Sequence, residues 1–277
     1  MEPQRKKRFL IITLGVLAVL LVGIIISPKS VHHESIQEAM RDAVLHTENK
    51  VSLLGLNVNP SLISAFLVTG ILLLFALFIR LVVIPKFTMV PGKFQILLEE
   101  WVGFFQNLAK GNSPHLNGFL GVYLFVAGSY IFVGTLFELL GLQAVTTRGT
   151  SIALPAPLAD INGAIAMGCL SYAIIMSGGI RANKIKGVGL TLKEFSLPIS
   201  MSFRLFGALL SGMLVTELVY YYISLSFVLP VVVGVLFTAL HALIQTYVLT
   251  MLTSYYYGEV SEIHPPKAAK PRKDKEQ

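Results

Sequence analysis

Five long stretches of the chain contain no Asp, Glu, Lys or Arg: residues 9–28, 51–79, 111–137, 161–180 and 218–258. A helix needs about 20 apolar residues to cross the roughly 30 Å hydrocarbon core of a bilayer. Four stretches therefore fit one membrane helix each, and the fifth belongs to a longer helical pair. The strands of membrane barrels need only about ten residues, which these runs exceed. The pattern predicts an all-α, polytopic membrane protein with about five to six hydrophobic helices.

Composition supports the same class. Of the 277 residues, 54% are hydrophobic and only 13% are charged, whereas soluble domains carry roughly 25% charged residues. This balance excludes a soluble enzyme, a disordered chain and a collagen-like fibre. The single cysteine, Cys169, offers neither a disulfide framework nor a zinc-binding spacing.

The net charge of +7 is concentrated between the apolar runs and at the two ends of the chain. Such clusters are typical of cytoplasmic loops and not of nucleic-acid binding. We therefore expect both termini on the cytoplasmic side and the loops 28–60 and 141–160 outside. The basic residues are Arg5, Lys6, Lys7 and Arg8, then Arg80, Lys86 and Lys93, then Arg181, Lys184, Lys186 and Lys193, and finally those from Lys267 to Lys275.

The resulting division is a single membrane domain over 1–277. Residues 1–27 also fit a signal peptide, although the apolar run is long for one and no A-x-A site follows it; helix and cleaved signal both stay open. The predicted parts are an N-terminal helix or signal-like segment in 1–27, membrane helices over 61–84, 115–139 and 160–180, a long helical hairpin over 190–258, and a charged tail over 259–277.

An amphipathic helix is predicted over 90–110, between the second and third membrane helices. Apolar residues recur at 94, 97, 98, 101, 105 and 108, which is helical spacing, and charged or amide side chains occupy the other side. A helix of this kind lies at a membrane interface. It serves either as a surface connector or as a docking surface for a partner subunit, and the pattern alone leaves both open.

Arg204, Glu217, His241 and Gln245 are polar residues within the last apolar pair of helices. An ionisable group at membrane depth is costly and marks ion paths or binding sites. Arg204 has no carboxylate within nine residues along the chain, so either its side chain snorkels to the interface or its counter-charge comes from elsewhere in the fold or from another chain. Four such residues in one pair of helices indicate an ion or proton path more than four unrelated polar substitutions.

No phosphate-binding G-x-x-x-x-G-K-[ST], H-E-x-x-H or G-x-S-x-G motif is present. We therefore predict no bound nucleotide, no metal, no cofactor and no catalytic residue in this chain.

The segment ISMSFRLFG, with Pro198 six positions before Arg204, resembles the signature of subunit a of the F-type rotary ATP synthase. The final helix, IQTYVLTMLTSYYYGE with Gln245, is similar to the family's last helix. Two further pieces match in order: VPGKFQILLEE, with Pro91, Lys93, Gln95 and Glu99, and LPAPLADINGAIAMG, with Pro157, Asp160 and Asn162.

This resemblance implies a stationary subunit, not itself an enzyme, that passes H⁺ or Na⁺ to and from the c-ring through two half-channels. It implies contacts with the c-ring, with the peripheral-stalk b subunits and with lipid, in a bacterial inner membrane with the C-terminus cytoplasmic. Arg204 would separate the half-channels, and Glu217, His241, Gln245, Asp160 and Asn162 would serve ion translocation. An independent secondary transporter and a passive membrane anchor are the alternatives.

The chain departs from the family pattern near Arg204. Ala208 replaces the usual asparagine, Met213 replaces a frequent carboxylate, and Thr238 replaces a frequent ionisable group. Glu217, one turn further along the stripe that includes Met213, is the expected substitute for the missing carboxylate. His241 lies one turn closer to Gln245 than the usual group does.

Overall fold

The computed structural model of the chain describes residues 51–53, 56–145, 147, 151–221 and 229–262, with the isolated positions 15, 18 and 22. The predicted helix over 9–27 and most of the tail lie outside this set. The elements are β1 (Val51–Leu53), β2 (Leu56–Val58), α1 (Pro60–Phe78), α2 (Lys93–Asn112), α3 (Asn117–Leu136), β3 (Gln143–Val145), β4 (Ser151–Ala153), α4 (Ile161–Lys193), α5 (Ser196–Tyr221) and α6 (Leu229–Ser261).

Five helices of the described part are long and apolar enough to cross a membrane, so the prediction of an all-α polytopic protein is confirmed. The single-domain division remains a prediction. The five spans are Pro60–Lys86, Asn117–Leu140, Ile161–Lys193, Ser196–Val215 and Val232–Ser261.

Two antiparallel β-hairpins, β1–β2 and β3–β4, adjoin one end of the bundle, which we call the hairpin end. There α1 begins with Pro60 at its first position and Asn59 as its cap, whose Oδ1 accepts from the N–H of Ser61 at 3.0 Å. Proline at this position needs no N–H partner, and asparagine is a preferred cap. The first turns of α1 pack on α3 and on the 3₁₀ turn Pro157–Ala159.

Side-chain amides fasten the opposite end, which we call the tail end. Nδ2 of Asn112, at the end of α2, donates to Oγ of Ser254 in α6 at 3.0 Å. Nδ2 of Asn183 in α4 donates to the carbonyl oxygens of Val260 and Glu262, at 3.1 and 2.9 Å. The two bonds from Asn183 satisfy carbonyl groups at the end of α6, where the helix itself offers no partner.

The helix α4 reverses direction at Lys184, which has φ 52°. In a straight helix, residues 19 apart would be separated by about 28 Å. Here the hydroxyl of Tyr172 donates to the carbonyl of Thr191 at 2.9 Å. The two arms meet at Gly179 and Gly187, where a Cβ on Gly187 would overlap the Gly179 carbonyl. Residues 185–193 therefore fold back along the first arm before α5 begins.

The predicted amphipathic helix is α2, which packs against α3 and α6. Its buried residues are Phe105 and Ala109, whereas Phe94 and Leu97 near its start are exposed. Phe105 is fully buried and fits against α3 at Gly128. One turn earlier, Nε1 of Trp101 donates to Oγ of Ser129 at 3.0 Å. The indole N–H thus finds the partner that a partly buried tryptophan requires.

We expect Gly187→Ala to destabilise the protein by about 1–3 kcal/mol, because the added methyl group meets backbone that cannot move aside cheaply. Gly189→Ala is the matched control, since a Cβ there meets nothing within 4 Å. The measurement is the apparent melting temperature of the purified protein in detergent. Equal melting temperatures for the two variants would contradict the fold-back contact.

Candidate ion-translocation site

Arg204 lies on α5 with its side chain exposed. Its neighbours Met201 and Leu205 are buried in the core of the bundle, so the helix turns Arg204 away from the rest of the chain. Within the described residues, the guanidinium group has neither an ion-pair nor a hydrogen-bond partner. The missing counter-charge noted in the sequence is therefore also missing in this part of the fold.

Small residues surround Arg204 on the same side of α5. Ser200, Gly207 and Ser211 stand four residues before, three after and seven after Arg204, which places them on one helical face. All three are exposed, and a Cβ built at Gly207 would meet nothing within 4 Å. No described element covers this face.

Gln245 lies on α6 and is 6% exposed, and its Oε1 has no hydrogen-bond partner among the described residues. By contrast, the buried hydroxyl of Thr250, five residues further along α6, donates to the carbonyl of Thr246 at 2.7 Å. A buried acceptor left without a partner costs about 1–3 kcal/mol. Gln245 is therefore poorly explained as a packing residue alone.

His241 precedes Gln245 by one turn of α6 and lines a small cavity. Its Nδ1 lies 2.8 Å from the carbonyl oxygen of Phe237. A carbonyl can only accept, so Nδ1 carries the proton and Nε2 is left as an acceptor. The cavity, of about 10 Å³, lies between the end of α3, α5 and α6, and its lining includes Thr135, Glu138, Leu209, Gly212, Thr238 and His241.

The antiparallel pair α5–α6 sets the levels of these groups. A Cβ at Gly212 would lie 3.9 Å from Nδ1 of His241, so the two residues face each other. Arg204 precedes Gly212 by eight residues, or about 12 Å towards the tail end at 1.5 Å per residue. Gln245 is displaced from His241 by about 6 Å in the same direction. Gln245 thus lies at a level between the cavity and Arg204.

The profile of the ATP synthase A chain family matches residues 62–258, which run from α1 through nearly all of α6. The chain belongs to this family. The ATP synthase subunit a of Cereibacter sphaeroides is 28% identical over 189 residues, covering 63% of this chain and 72% of the relative. That of Histophilus somni is 26% identical over 239 residues, covering 72% and 87%.

Membership in the ATP synthase A chain family confirms the resemblance stated from the sequence. The chain is a multi-pass membrane protein of the ATP synthase membrane sector and works with other subunits of that assembly. The matched segment contains Arg204, Gln245 and the cavity-lining residues.

Two of the predicted site residues form a helix cap in this family member. Oδ1 of Asp160 accepts from the N–H of Asn162 at 3.3 Å and begins α4, and the Asn162 side chain is exposed. Neither residue lines the cavity at His241. Glu217 lies in α5, where only its backbone is described, so its role stays a prediction.

Glu138 is the site residue that the sequence did not single out. It follows the charge-free stretch 111–137 directly and lies at the end of the predicted helix 115–139, where an acidic residue normally meets water. The structure instead places it in the 3₁₀ turn Phe137–Leu140, where it lines the same cavity as His241. The sequence feature that could have identified Glu138 is a carboxylate that directly follows a membrane-spanning segment.

We expect Gln245→Leu to leave the melting temperature unchanged or raised, because the substitution removes a buried acceptor without a partner. Asn112→Leu is the contrast: its amide bonds to Leu108 and Ser254, and its loss should cost about 1 kcal/mol. Thermal unfolding in detergent measures both. A larger loss for Gln245→Leu than for Asn112→Leu would assign Gln245 a packing role.

Proposed function

We propose that this chain is the stationary ion-conducting subunit of the synthase, passing H⁺ or Na⁺ to and from the c-ring through two half-channels and so coupling ion flow to rotation and ATP synthesis. The observation that carries the proposal is Arg204 on an exposed face of a membrane-spanning helix, where none of the described residues pairs with it or covers it. The chain itself makes no ATP, since it contains no phosphate-binding motif.

A carboxylate on the neighbouring ring supplies the counter-charge that Arg204 lacks. An arginine stays protonated at any working pH. At 4 Å and an effective dielectric constant of about 20, a passing carboxylate is attracted by about 4 kcal/mol. This attraction favours release of the carried ion and also blocks a direct passage of cations between the half-channels. A membrane potential of 100 mV contributes about 2.3 kcal/mol per charge, which offsets more than half of this attraction.

The small residues around Arg204 support close approach of a second helix. Between helices in lipid, Gly and Ser at an interface allow backbones to come near each other. Ser200, Gly207 and Ser211 form such a strip beside the arginine. A ring helix seated there would bring its carboxylate within reach of the guanidinium group.

The inlet half-channel runs from the hairpin end towards Arg204 in this proposal. Asp160 and Asn162 stand at its mouth, Glu217 and His241 lie deeper, and Gln245 offers a free acceptor before the level of Arg204. The hairpin end faces outwards and the tail end faces the bacterial cytoplasm, as the basic residues of the tail end favour.

The helix α2 contributes the contact with the peripheral-stalk b subunits. Its buried side is used within the chain, while Gln106 is exposed and Gln95 is half-buried. Gln95 forms hydrogen bonds with Thr88 and Glu99, which holds this polar surface in place for a partner.

We expect Arg204→Ala to abolish ATP-driven pumping, because the guanidinium group no longer favours release of the ion from the ring carboxylate. The assembled membrane sector should also leak ions passively, because the positive charge no longer blocks direct passage between the half-channels. Arg204→Lys should also fail, since lysine is shorter and can lose its proton when buried. ATP-driven ion uptake and passive permeability are measured on the same vesicles. Arg80→Ala, at another exposed arginine, is the control. Normal pumping by Arg204→Ala would refute the proposal.

Cysteine cross-linking tests the proposed stalk contact, in a background in which Cys169 is replaced by serine. Gln95→Cys and Gln106→Cys are expected to capture a peripheral-stalk subunit in the intact complex. Ser151→Cys, an exposed position in β4 at the hairpin end, is expected to capture none. Labelling of the two α2 positions by lipid reagents alone would leave α2 as a connector.

A further inference from the structure

We propose that Glu138 and His241 form a proton relay across the cavity between α3 and α6, as the protonatable step of the inlet that lies nearest Arg204. The inference rests on the proposed ion conduction and commits its inlet to protons. It assigns the carboxylate of this step to the end of α3, whereas the sequence pointed to Glu217 on α5.

Glu138 lines the cavity, and no described residue pairs with its carboxyl group. The 3₁₀ turn that carries it ends at Gly141, which has φ 58° and donates its N–H to the Glu138 carbonyl at 3.2 Å. Within the described residues, the Glu138 side chain has no hydrogen bond and no ion pair. A carboxylate attached to a membrane span is costly unless something neutralises it. A transiting proton does so.

His241 is oriented to accept such a proton. Its Nδ1–H is engaged by the carbonyl of Phe237, and its ring stacks on the Phe237 ring with the centroids 5.8 Å apart. These two contacts fix both the ring position and the tautomer. The lone pair of Nε2 is therefore available, which is the state required for a histidine that takes up and passes on a proton.

The cavity that both residues line is close to one water molecule in size. A volume of about 10 Å³ is close to the minimum for a single water, which needs two to four polar partners. Its lining includes four residues with polar side chains, Glu138, His241, Thr135 and Thr238. The protonated carboxyl gives its proton to the water while the water gives another to Nε2. The step leaves a carboxylate, an unchanged water and an imidazolium.

The helix α5 supplies the space for this step and none of its chemistry. Its contributions to the cavity are Ala208, Leu209 and Gly212, none of which can bind a proton. The missing side chain at Gly212 leaves the room beside the imidazole, where a Cβ would lie 3.9 Å from Nδ1. A methyl group at position 212 would therefore occupy part of the cavity without a steric clash.

The first test is Glu138→Gln in the complete synthase, measured as ATP-driven proton uptake in vesicles. We expect a fall of about tenfold or more, because acid–base groups typically contribute a factor of 10² or more. Glu138→Asp should restore part of the uptake. Glu259→Gln, at an exposed carboxylate near the tail end, is the control and should pump normally.

The second test fills the cavity without removing a protonatable group. Gly212→Ala should lower uptake several-fold while the complex assembles normally. Gly70→Ala, in α1 where a Cβ meets nothing within 4 Å, should have no effect. In the Arg204→Ala background, adding Glu138→Gln should also reduce the passive proton leak, since the leak uses the same inlet.

The outcomes separate this inference from the proposed function. Wild-type uptake in both Glu138→Gln and Gly212→Ala, with Arg204→Ala inactive, would overturn the relay and leave the ion-conducting function intact. Normal pumping by Arg204→Ala would overturn the function itself. Uptake of Na⁺ without proton movement in the wild-type synthase would also overturn the relay. If the Glu138→Gln complex loses the c-ring on purification, proton uptake by Gly212→Ala and Glu138→Asp tests the relay instead. Wild-type uptake by Gly212→Ala would then overturn it.

Discussion

The contact of glycines with large or polar side chains of neighbouring helices is the interaction on which the bundle depends. Lipid tails are as apolar as leucine, so helices in a membrane gain little from burying apolar area and rely on close packing and hydrogen bonds. Phe105 of α2 fits against Gly128 of α3, and Tyr257 of α6 fits against Gly178 of α4. These contacts leave α6 packed against α2, α3, α4 and α5, and so they fix the helix that carries His241 and Gln245.

Within this frame, the polar side chains fall into two groups. The hydroxyls of Thr250 and Thr253 donate to carbonyl oxygens four residues earlier in α6, so their polarity is satisfied inside the helix. Arg204, Glu138 and Oε1 of Gln245 have no such partner among the described residues. Polar groups without a partner are expensive in a medium that cannot solvate them. A mobile ion, a water molecule or another chain that reaches them lowers this cost, as the proposed ion conduction requires.

The sequence predicted those features that the bilayer itself dictates. The thickness of the bilayer sets the minimum length of a charge-free run, and such runs predicted the membrane-spanning helices. The low polarity of the bilayer makes an arginine costly in an apolar helix, and this cost pointed to Arg204. The reversal at Lys184 escaped prediction because both arms have helical composition and their contact depends on Gly179 meeting Gly187 in space. Glu138 escaped because its surroundings come from α5 and α6, roughly 70 residues or more further along the chain. The spacing of residues along the sequence does not predict this tertiary contact.

In the proposed mechanism, the gap between the relay and Arg204 is as important as either group. Between the levels of Gly212 and Arg204, about 12 Å apart, neither α5 nor α6 carries a carboxylate or an imidazole. A proton that leaves His241 therefore has no fixed acceptor on these two helices within that interval. Gln245 lies about halfway, and its free Oε1 can hold a water but cannot keep a proton. In the proposed mechanism, the acceptor is the carboxylate of a ring helix. An inlet that ends short of its arginine delivers protons only when a ring carboxylate is present to receive them, so flow without rotation is prevented by the missing acceptor as well as by the charge of Arg204.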